Sequence, residues 1–174
     1  MSTPPAEVPV HPSVRVREGR ESDVDAVVGM VRELADYERA VDQVRLTPEQ
    51  LHRAVFSGAA PDGRPSAYLL VAEVDGEQVG FALWFLNFST WEGVHGIYLE
   101  DLYVSPAHRG SGAGRALLTA LARIATERGY ARVEWSVLDW NSLAIGFYRR
   151  IGAVAMDGWT TYRLTGSALA SLAR

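Results

Sequence analysis

The sequence predicts an α/β protein in which helices flank a mixed β-sheet. Some segments repeat apolar residues at the spacing of an amphipathic helix, whereas others alternate or are rich in β-branched and aromatic residues. In chain order these segments read β-α-α-β-β-β-α-β-α-β, which is typical of helices packed on a sheet. The 174 residues suit one domain. We expect this domain over residues 13–174, after a flexible, proline-rich tail over residues 1–12.

Alternation and helix caps predict the first strand and the first two helices. Residues 14–17 alternate between valine and arginine, as in a strand with one apolar face. Ser22 is the predicted cap of a first helix, whose apolar stripe ends near Tyr37. Residues 47–50 combine a threonine cap, a proline at the first helical position and a glutamine three residues after the cap. A second helix is therefore expected to begin at residue 48.

The rest of the chain adds a hairpin, a central strand and further helices and strands. Asp75 and Gly76 predict a tight turn between two strands. Residues 87–93 are expected to form a loop before the central strand. The other predicted elements are strands at 68–74, 78–88, 96–105, 131–138 and 154–164, and helices from Ala116 to Gly129, from Asn141 to Gly152 and at 167–172.

Composition excludes several kinds of function. A net charge of −4 and a pI near 5.6 argue against nucleic-acid binding. The chain has no cysteine, which excludes a cysteine nucleophile and thiolate metal sites, and it has no lysine, which excludes a Walker-type phosphate loop. We expect no metal, because His95 and His108 lack metal-ligand spacing. With no signal peptide and no membrane-length apolar run, the protein is expected to be cytoplasmic.

The chain is organised around the stretch from Gly96 to Arg115. Its apolar strand contains the adjacent acids Glu100 and Asp101, and a glycine-rich loop over residues 109–115 then opens a helix. Glycines allow the backbone to approach a ligand closely, and the first N–H groups of a helix lack intrahelical partners. Those N–H groups, the helix dipole and the two flanking arginines favour an anion. The loop is therefore a candidate diphosphate site, called the cradle loop below.

Four motifs together resemble one known family. They are the strand motif over residues 98–104, the cradle loop, Trp140-Asn141, and a Phe-Tyr pair that precedes Gly152 by four residues. This combination is similar to the GNAT superfamily of acyl-CoA N-acyltransferases, and the residues around Tyr37 resemble its diamine (spermidine/spermine) acetyltransferase branch. The resemblance implies a splayed central sheet, acetyl-CoA as co-substrate, a small-molecule amine substrate and a homodimer.

The resemblance also implies a set of site residues. Those expected to bind the coenzyme are Leu102, Tyr103, Val104, Arg109, Gly110, Ser111, Gly112, Ala113, Gly114, Arg115, Asn141, Ala144 and Tyr148. Those expected to line the amine site are Tyr37, Glu38, Trp91, Glu100, Asp101, Trp135 and Asp157. The branch has an acid shortly before the residue that matches Trp91, whereas this chain has residues 87–90 as Asn-Phe-Ser-Thr. The acceptor therefore stays open between a diamine, a polyamine and a lysine-like amino acid.

Acetyl transfer to an amine requires a base and an acid. Only the neutral amine attacks a thioester, so the site must remove a proton, and Glu100 is the candidate base, directly or through a water molecule. Partial burial in the apolar strand would raise its pKa. Asp101 should face the other side of the sheet unless a bulge redirects it. Tyr148 is the candidate acid for the leaving thiolate, and N–H groups at 102–104 would stabilise the oxyanion.

Other interpretations stay open at this point. Without a cysteine or a Ser–His arrangement, direct transfer in a ternary complex is favoured over an acyl-enzyme. A non-catalytic acyl-CoA-binding or sensing module is an alternative, as is an acetyltransferase that modifies a protein or peptide amine. The presence of Glu100 and Tyr148 favours an enzyme. Trp91, Trp135 and Tyr148 could also be ordinary packing residues.

Overall fold

The computed structural model describes residues 13–58 and 63–174. The chain forms two compact parts, one up to Ser136 and one from Val137 to Arg174. The predicted tail over residues 1–12 lies outside the described residues. The prediction of a single domain stays a prediction.

A five-stranded mixed sheet forms the centre of the first part, in the order β1-β2-β3-β4-β5. The first four strands are antiparallel neighbours, and β5 runs parallel to β4. The strands are β1 (Val14–Glu18), β2 (Tyr68–Val74), β3 (Glu77–Ser89), β4 (Val94–Val104) and β5 (Val133–Glu134). The helices of this part are α1 (Val24–Tyr37), α2 (Pro48–Val55) and α3 (Ala113–Glu127). The predicted mixed α/β class is confirmed.

Two helices cover one face of this sheet. Val27 and Val28 of α1 and Leu51 of α2 are almost fully buried, and they share a core cluster with Phe81 of β3 and Tyr103 of β4. The third helix, α3, buries its own stripe of apolar side chains against the strands. Each helix therefore buries the apolar face that its periodicity predicts.

The caps of α1 and α2 differ in how well the sequence predicts them. Thr47 accepts a hydrogen bond from the Gln50 amide and forms the expected capping box. Ser22 does not cap α1, so that prediction was wrong. Residues Glu21–Asp23 instead form a short 3₁₀ turn, and the Asp23 carboxylate accepts a hydrogen bond from the Arg20 amide at 2.7 Å. A buried ion pair with Arg17 holds that carboxylate in place.

The sheet is open between β4 and β5. β5 pairs with β4 only at Ile97 and Tyr98, although β4 continues to Val104. The predicted strand over residues 131–138 is thus shortened to two residues, because its later part does not follow β4. This divergence of two parallel strands is the splay that the sequence resemblance implies.

The second part of the chain contains two helices, α4 (Ser142–Arg150) and α5 (Gly166–Leu172). The Asn141 side chain caps α4 by accepting a hydrogen bond from the Ala144 amide at 3.2 Å, as predicted. The predicted strand at 154–164 is wrong, because these residues are exposed and pair with no strand in the described ranges. Alternation produces a strand only where a neighbouring edge takes up its backbone groups.

Candidate active site

A β-bulge in β4 places the two adjacent acids. Leu83 of β3 pairs with Asp101, but the next residue, Trp84, pairs with Leu99, so Glu100 is an extra residue in β4. Since Leu83 and Trp84 face opposite sides of the sheet, their partners must also face opposite sides. Asp101 therefore shares the α1 face with Phe81 and Leu83, whereas Leu99 faces the other side. Such a bulge is the condition under which the sequence allows the two adjacent acids to serve one site.

Asp101 is the acid with the perturbed titration. It is partly buried, and this burial raises the pKa of its carboxyl to about 6, with the nearby charges of Glu100 and then Glu38 adding to the rise. Burial also raises the pKa of the Glu38 carboxyl at the end of α1. Desolvation and like charges both disfavour the ionised form of an acid. Glu38, Glu100 and Asp101, called the acidic cluster below, thus form an electrostatically coupled group.

Glu100 itself is exposed, contrary to the partial burial expected of it. The bulge explains the difference, because it moves the buried position in this segment from Glu100 to the following residue. A pKa near 6 leaves the Asp101 carboxylate ionised at neutral pH while keeping it close to the range useful for proton transfer. Asp101, which the sequence analysis treated as a substrate residue, therefore has the environment that was predicted for the base.

The cradle loop has the backbone geometry of an anion site. Gly110 and Gly112 adopt left-handed conformations, with φ values of 86° and 94°, and Gly112 is the residue from which α3 begins. The Ser111 hydroxyl accepts a hydrogen bond from the Ala113 amide. A Cβ atom added at Gly110 or Gly112 would meet no atom within 4 Å, so open space lies above the loop. These features fit a bound diphosphate, as the glycine spacing predicts.

The open edge of β4 leads into this loop. Residues 99–104 lie beyond the last residues that pair with β5, so β5 does not use the backbone groups of this stretch. Leu102 and Val104 are partly buried, and Tyr103 is buried. An edge with unused backbone groups can pair with an extended amide-containing ligand, as another strand would. The fit supports the predicted contact of Leu102, Tyr103 and Val104 with a pantetheine arm.

A short hydrogen bond ties β4 to α1. The Tyr103 hydroxyl donates to the Glu33 carboxylate at 2.5 Å. Burial and the Glu33 hydrogen bond raise the pKa of Tyr103 to about 12, so this hydroxyl is a poor proton donor to a substrate. The bond instead fixes α1, whose last residue Tyr37 and following residue Glu38 belong to the predicted amine site. Glu33 was not predicted from the sequence, because nothing near an acid on an exposed turn of a helix indicates a partner on a distant strand.

Arg109 contacts the amine side of the site. Its guanidinium carbon lies 5.0 Å from the centre of the Tyr37 ring, and its Nε donates to the Val104 carbonyl at 3.4 Å. A guanidinium over an aromatic face is attracted by the ring. Arg109 therefore connects the cradle loop to the end of α1. The position of Arg109 in the glycine motif did not predict this contact with Tyr37.

The other predicted residues lie in separate segments of the chain. Trp91, in the turn between β3 and β4, is 86% exposed, and Trp135 is partly buried just after β5. In the second part of the chain, Tyr148 is partly buried within α4, and Asp157 is exposed. The structure thus brings Glu38, Glu100 and Asp101 together. The roles of the two tryptophans, Tyr148 and Asp157 stay predictions.

Two negative findings apply to the described ranges, 13–58 and 63–174. They contain no group of three or more histidine or acidic side chains arranged to hold a metal ion. None of their helices is both long and apolar enough to cross a membrane.

Comparison with known proteins identifies the class of protein. The sequence model of the acetyltransferase (GNAT) family matches residues 23–153. An integron cassette protein of V. cholerae has a similar structure, with a TM-score of 0.75 and 26% identity over 93% of this chain and 98% of that one. The chain belongs to the GNAT family of acetyltransferases, and it is an N-acetyltransferase that uses an acyl-CoA donor.

Two relatives place the chain more narrowly within the family. It is 37% identical over 172 residues to the thialysine N-ε-acetyltransferase of Sus scrofa, covering 92% of this chain and 98% of that protein. It is 30% identical over 169 residues to spermidine/spermine N(1)-acetyltransferase-like protein 1 of Homo sapiens, covering 91% of this chain and 24% of that protein. The resemblance to the diamine branch is confirmed.

Proposed function

We propose that this protein acetylates the distal primary amine of a small, lysine-like amino acid, with acetyl-CoA as the donor. The observation behind this proposal is the similarity, over nearly the whole of both chains, to a thialysine N-ε-acetyltransferase. Thialysine is an α-amino acid with a second amine at the end of a flexible side chain. The same chemistry applies to lysine itself and its homologues.

The acidic cluster is suited to binding and deprotonating such an amine. The distal amine is protonated at neutral pH, so an ionised Asp101 attracts it. A carboxyl with a pKa of about 6 can then accept the proton. Loss of hydration lowers the pKa of the bound ammonium, so the difference between the two pKa values becomes smaller. We assign this step to Asp101, with the exposed Glu100 passing the proton on to solvent. Glu38 contributes a second negative charge at the same place.

Acetyl-CoA, when bound, supplies the acetyl thioester. The cradle loop holds its diphosphate through backbone N–H groups at the start of α3, and Arg115 adds positive charge. The open edge of β4 at residues 102–104 would orient the pantetheine amides. The family resemblance assigns Asn141 and Ala144 to the same coenzyme. The neutral amine nitrogen would form the new C–N bond as the C–S bond breaks. We assign the proton for the departing sulfur to the Tyr148 hydroxyl, which would be restored by the second proton that the acetylated nitrogen releases.

An amine panel tests the proposal. Thiol release from acetyl-CoA is measured with thialysine, lysine, ornithine, 1,5-diaminopentane, spermidine and a lysine-containing peptide. Thialysine and lysine are expected to give the highest kcat/KM values, with acetylation at the distal amine by mass spectrometry. Thiol release with none of the small amines, or faster release with the peptide, would overturn the proposal.

Two matched variants separate the two acids of the bulge. Asp101→Asn is expected to lower kcat far more than Glu100→Gln, because only Asp101 has the partly buried position. The acidic limb of the pH–rate profile, which reflects a group with a pKa near 6, should persist in Glu100→Gln. Loss of that limb in Glu100→Gln would return the role of base to Glu100.

Location and assembly complete the proposal. We place the enzyme in the cytoplasm, where acetyl-CoA is available, and assign it a homodimeric state from the branch resemblance. Sedimentation of the purified protein tests the oligomeric state directly, since a monomer at micromolar concentration would contradict it.

A further inference from the structure

A solvent-open cavity with charges of both signs lies between the end of α1 and the end of β4. Its volume is about 620 Å³. Its lining residues, which define the mixed-charge cavity, are Arg32, Glu33, Asp36, Tyr37, Val41, Tyr103, Pro106 and Arg109. Two guanidinium groups and two carboxylates therefore face one space, and phenol rings form part of its wall.

Some of these charges are already used, and others are available. Glu33 accepts the hydrogen bond of Tyr103, and Arg109 lies over the Tyr37 ring. Arg32 and Asp36 stand four residues apart on α1, a spacing at which opposite charges can pair. No ion pair joins them or engages either with another residue in the described part of the chain. The cavity thus offers one guanidinium and one carboxylate without an intramolecular partner.

The mixed-charge cavity adjoins the acidic cluster along both elements. Tyr103 lines the cavity and lies two residues beyond Asp101 on the same face of β4. On α1, Tyr37 lines the cavity and Glu38, the next residue, interacts with Asp101. Two residues of strand advance about 7 Å. This distance is close to the ~6 Å from the terminal nitrogen of an extended lysine side chain to its Cα atom.

We propose that the mixed-charge cavity binds the α-amino-acid end of the acceptor. Arg32 binds the α-carboxylate, with Arg109 adding positive charge, and Asp36 binds the α-ammonium near the negative end of the α1 dipole. The distal amine then reaches Asp101. A diamine or polyamine has no group for Arg32, so the cavity selects amino acids over amines of the same length. This inference rests on the proposed function. It assigns to Arg32 the preference of the enzyme for an acceptor that carries a carboxylate.

Acceptors that differ by one group test the assignment. Lysine and 1,5-diaminopentane share the distal amine but differ in the carboxylate, lysinamide keeps the α-ammonium without the carboxylate charge, and 6-aminohexanoate keeps the carboxylate without the α-ammonium. For the wild type, kcat/KM is expected to fall about tenfold from lysine to either carboxylate-free acceptor, the size expected for one partly exposed charged contact. Equal kcat/KM values of the wild type for lysine and 1,5-diaminopentane would overturn the inference.

Substitution of Arg32 separates recognition from folding and chemistry. Arg32→Met is expected to lower kcat/KM for lysine about tenfold while leaving that for 1,5-diaminopentane within twofold. Arg32→Lys keeps the charge and should restore part of the preference. Arg123→Met, which removes an exposed arginine of α3 outside the cavity, is the matched control and should leave the preference intact.

The outcomes distinguish this inference from the proposed function. If Arg32→Met lowers kcat/KM for both acceptors equally, or for neither, the inference fails even though the enzyme acetylates small amines. If the wild type acetylates none of the small amines, the proposed function itself fails. The KM for acetyl-CoA should stay unchanged in Arg32→Met, and a large rise would place Arg32 in the coenzyme site instead.

Discussion

Replacing Asp101 by asparagine tests whether the acidic cluster costs stability. The folded protein holds this carboxyl partly buried beside Glu100 and Glu38, which raises its pKa from 3.8 to about 6. A raised pKa means that folding favours the protonated form, so ionisation of the folded protein is unfavourable. Ionised Asp101 therefore lowers the unfolding free energy of the wild type at neutral pH. Asp101→Asn avoids this loss, because it has a neutral group of nearly the same shape at that position.

The size of the effect follows from the shift. About two pKa units correspond to about 3 kcal/mol of unfolding free energy, and the partial exposure of the group reduces this to about 1–2 kcal/mol. The penalty is absent below pH 3.8, grows between pH 3.8 and pH 6, and is complete above pH 6. For a chain of 174 residues, the variant should melt roughly 2 to 8 °C higher at pH 7.5.

Thermal unfolding followed by circular dichroism from pH 4.5 to pH 8 measures this difference. The difference in Tm between variant and wild type should grow with pH and level off above pH 6. Glu92→Gln, which removes an exposed acid from the turn between β3 and β4, controls for the loss of one charge. A difference that is constant over the pH range, or a less stable variant at pH 7.5, would refute the account of Asp101.

Three further predictions address the cradle loop, α4 and the core. Gly112→Asp should abolish acetyl-CoA binding by calorimetry, since the site requires φ near 94° and a new carboxylate repels the diphosphate; normal binding would exclude the loop as the anion site. Tyr148→Phe should lower kcat at least tenfold with unchanged acetyl-CoA affinity, and an unaltered kcat would remove its role as acid. Asp23→Ala should cost about 3 kcal/mol in urea unfolding, because it leaves the largely buried Arg17 guanidinium without its bidentate partner. A loss below about 1 kcal/mol would show that Glu73 alone satisfies Arg17.

Features that depend on neighbouring residues could be predicted from the sequence. The capping box at Thr47, the left-handed turn at Asp75 and Gly76, and the cap at Asn141 all form as expected. The left-handed conformations of Gly110 and Gly112 in the cradle loop also follow from the local sequence. Each of these depends on the conformational preference or hydrogen bonding of a few adjacent residues, so the local sequence contains the necessary information.

The tertiary structure decided which side chains meet. Alternation along β4 would have put Asp101 on the same face as Leu99, and only the pairing with β3 reveals the extra residue that turns it toward α1. The same applies to Arg32, whose position in the mixed-charge cavity depends on how α1 packs over the end of β4. Strand register and helix packing are set by contacts between distant segments, and no local pattern in the sequence specifies them.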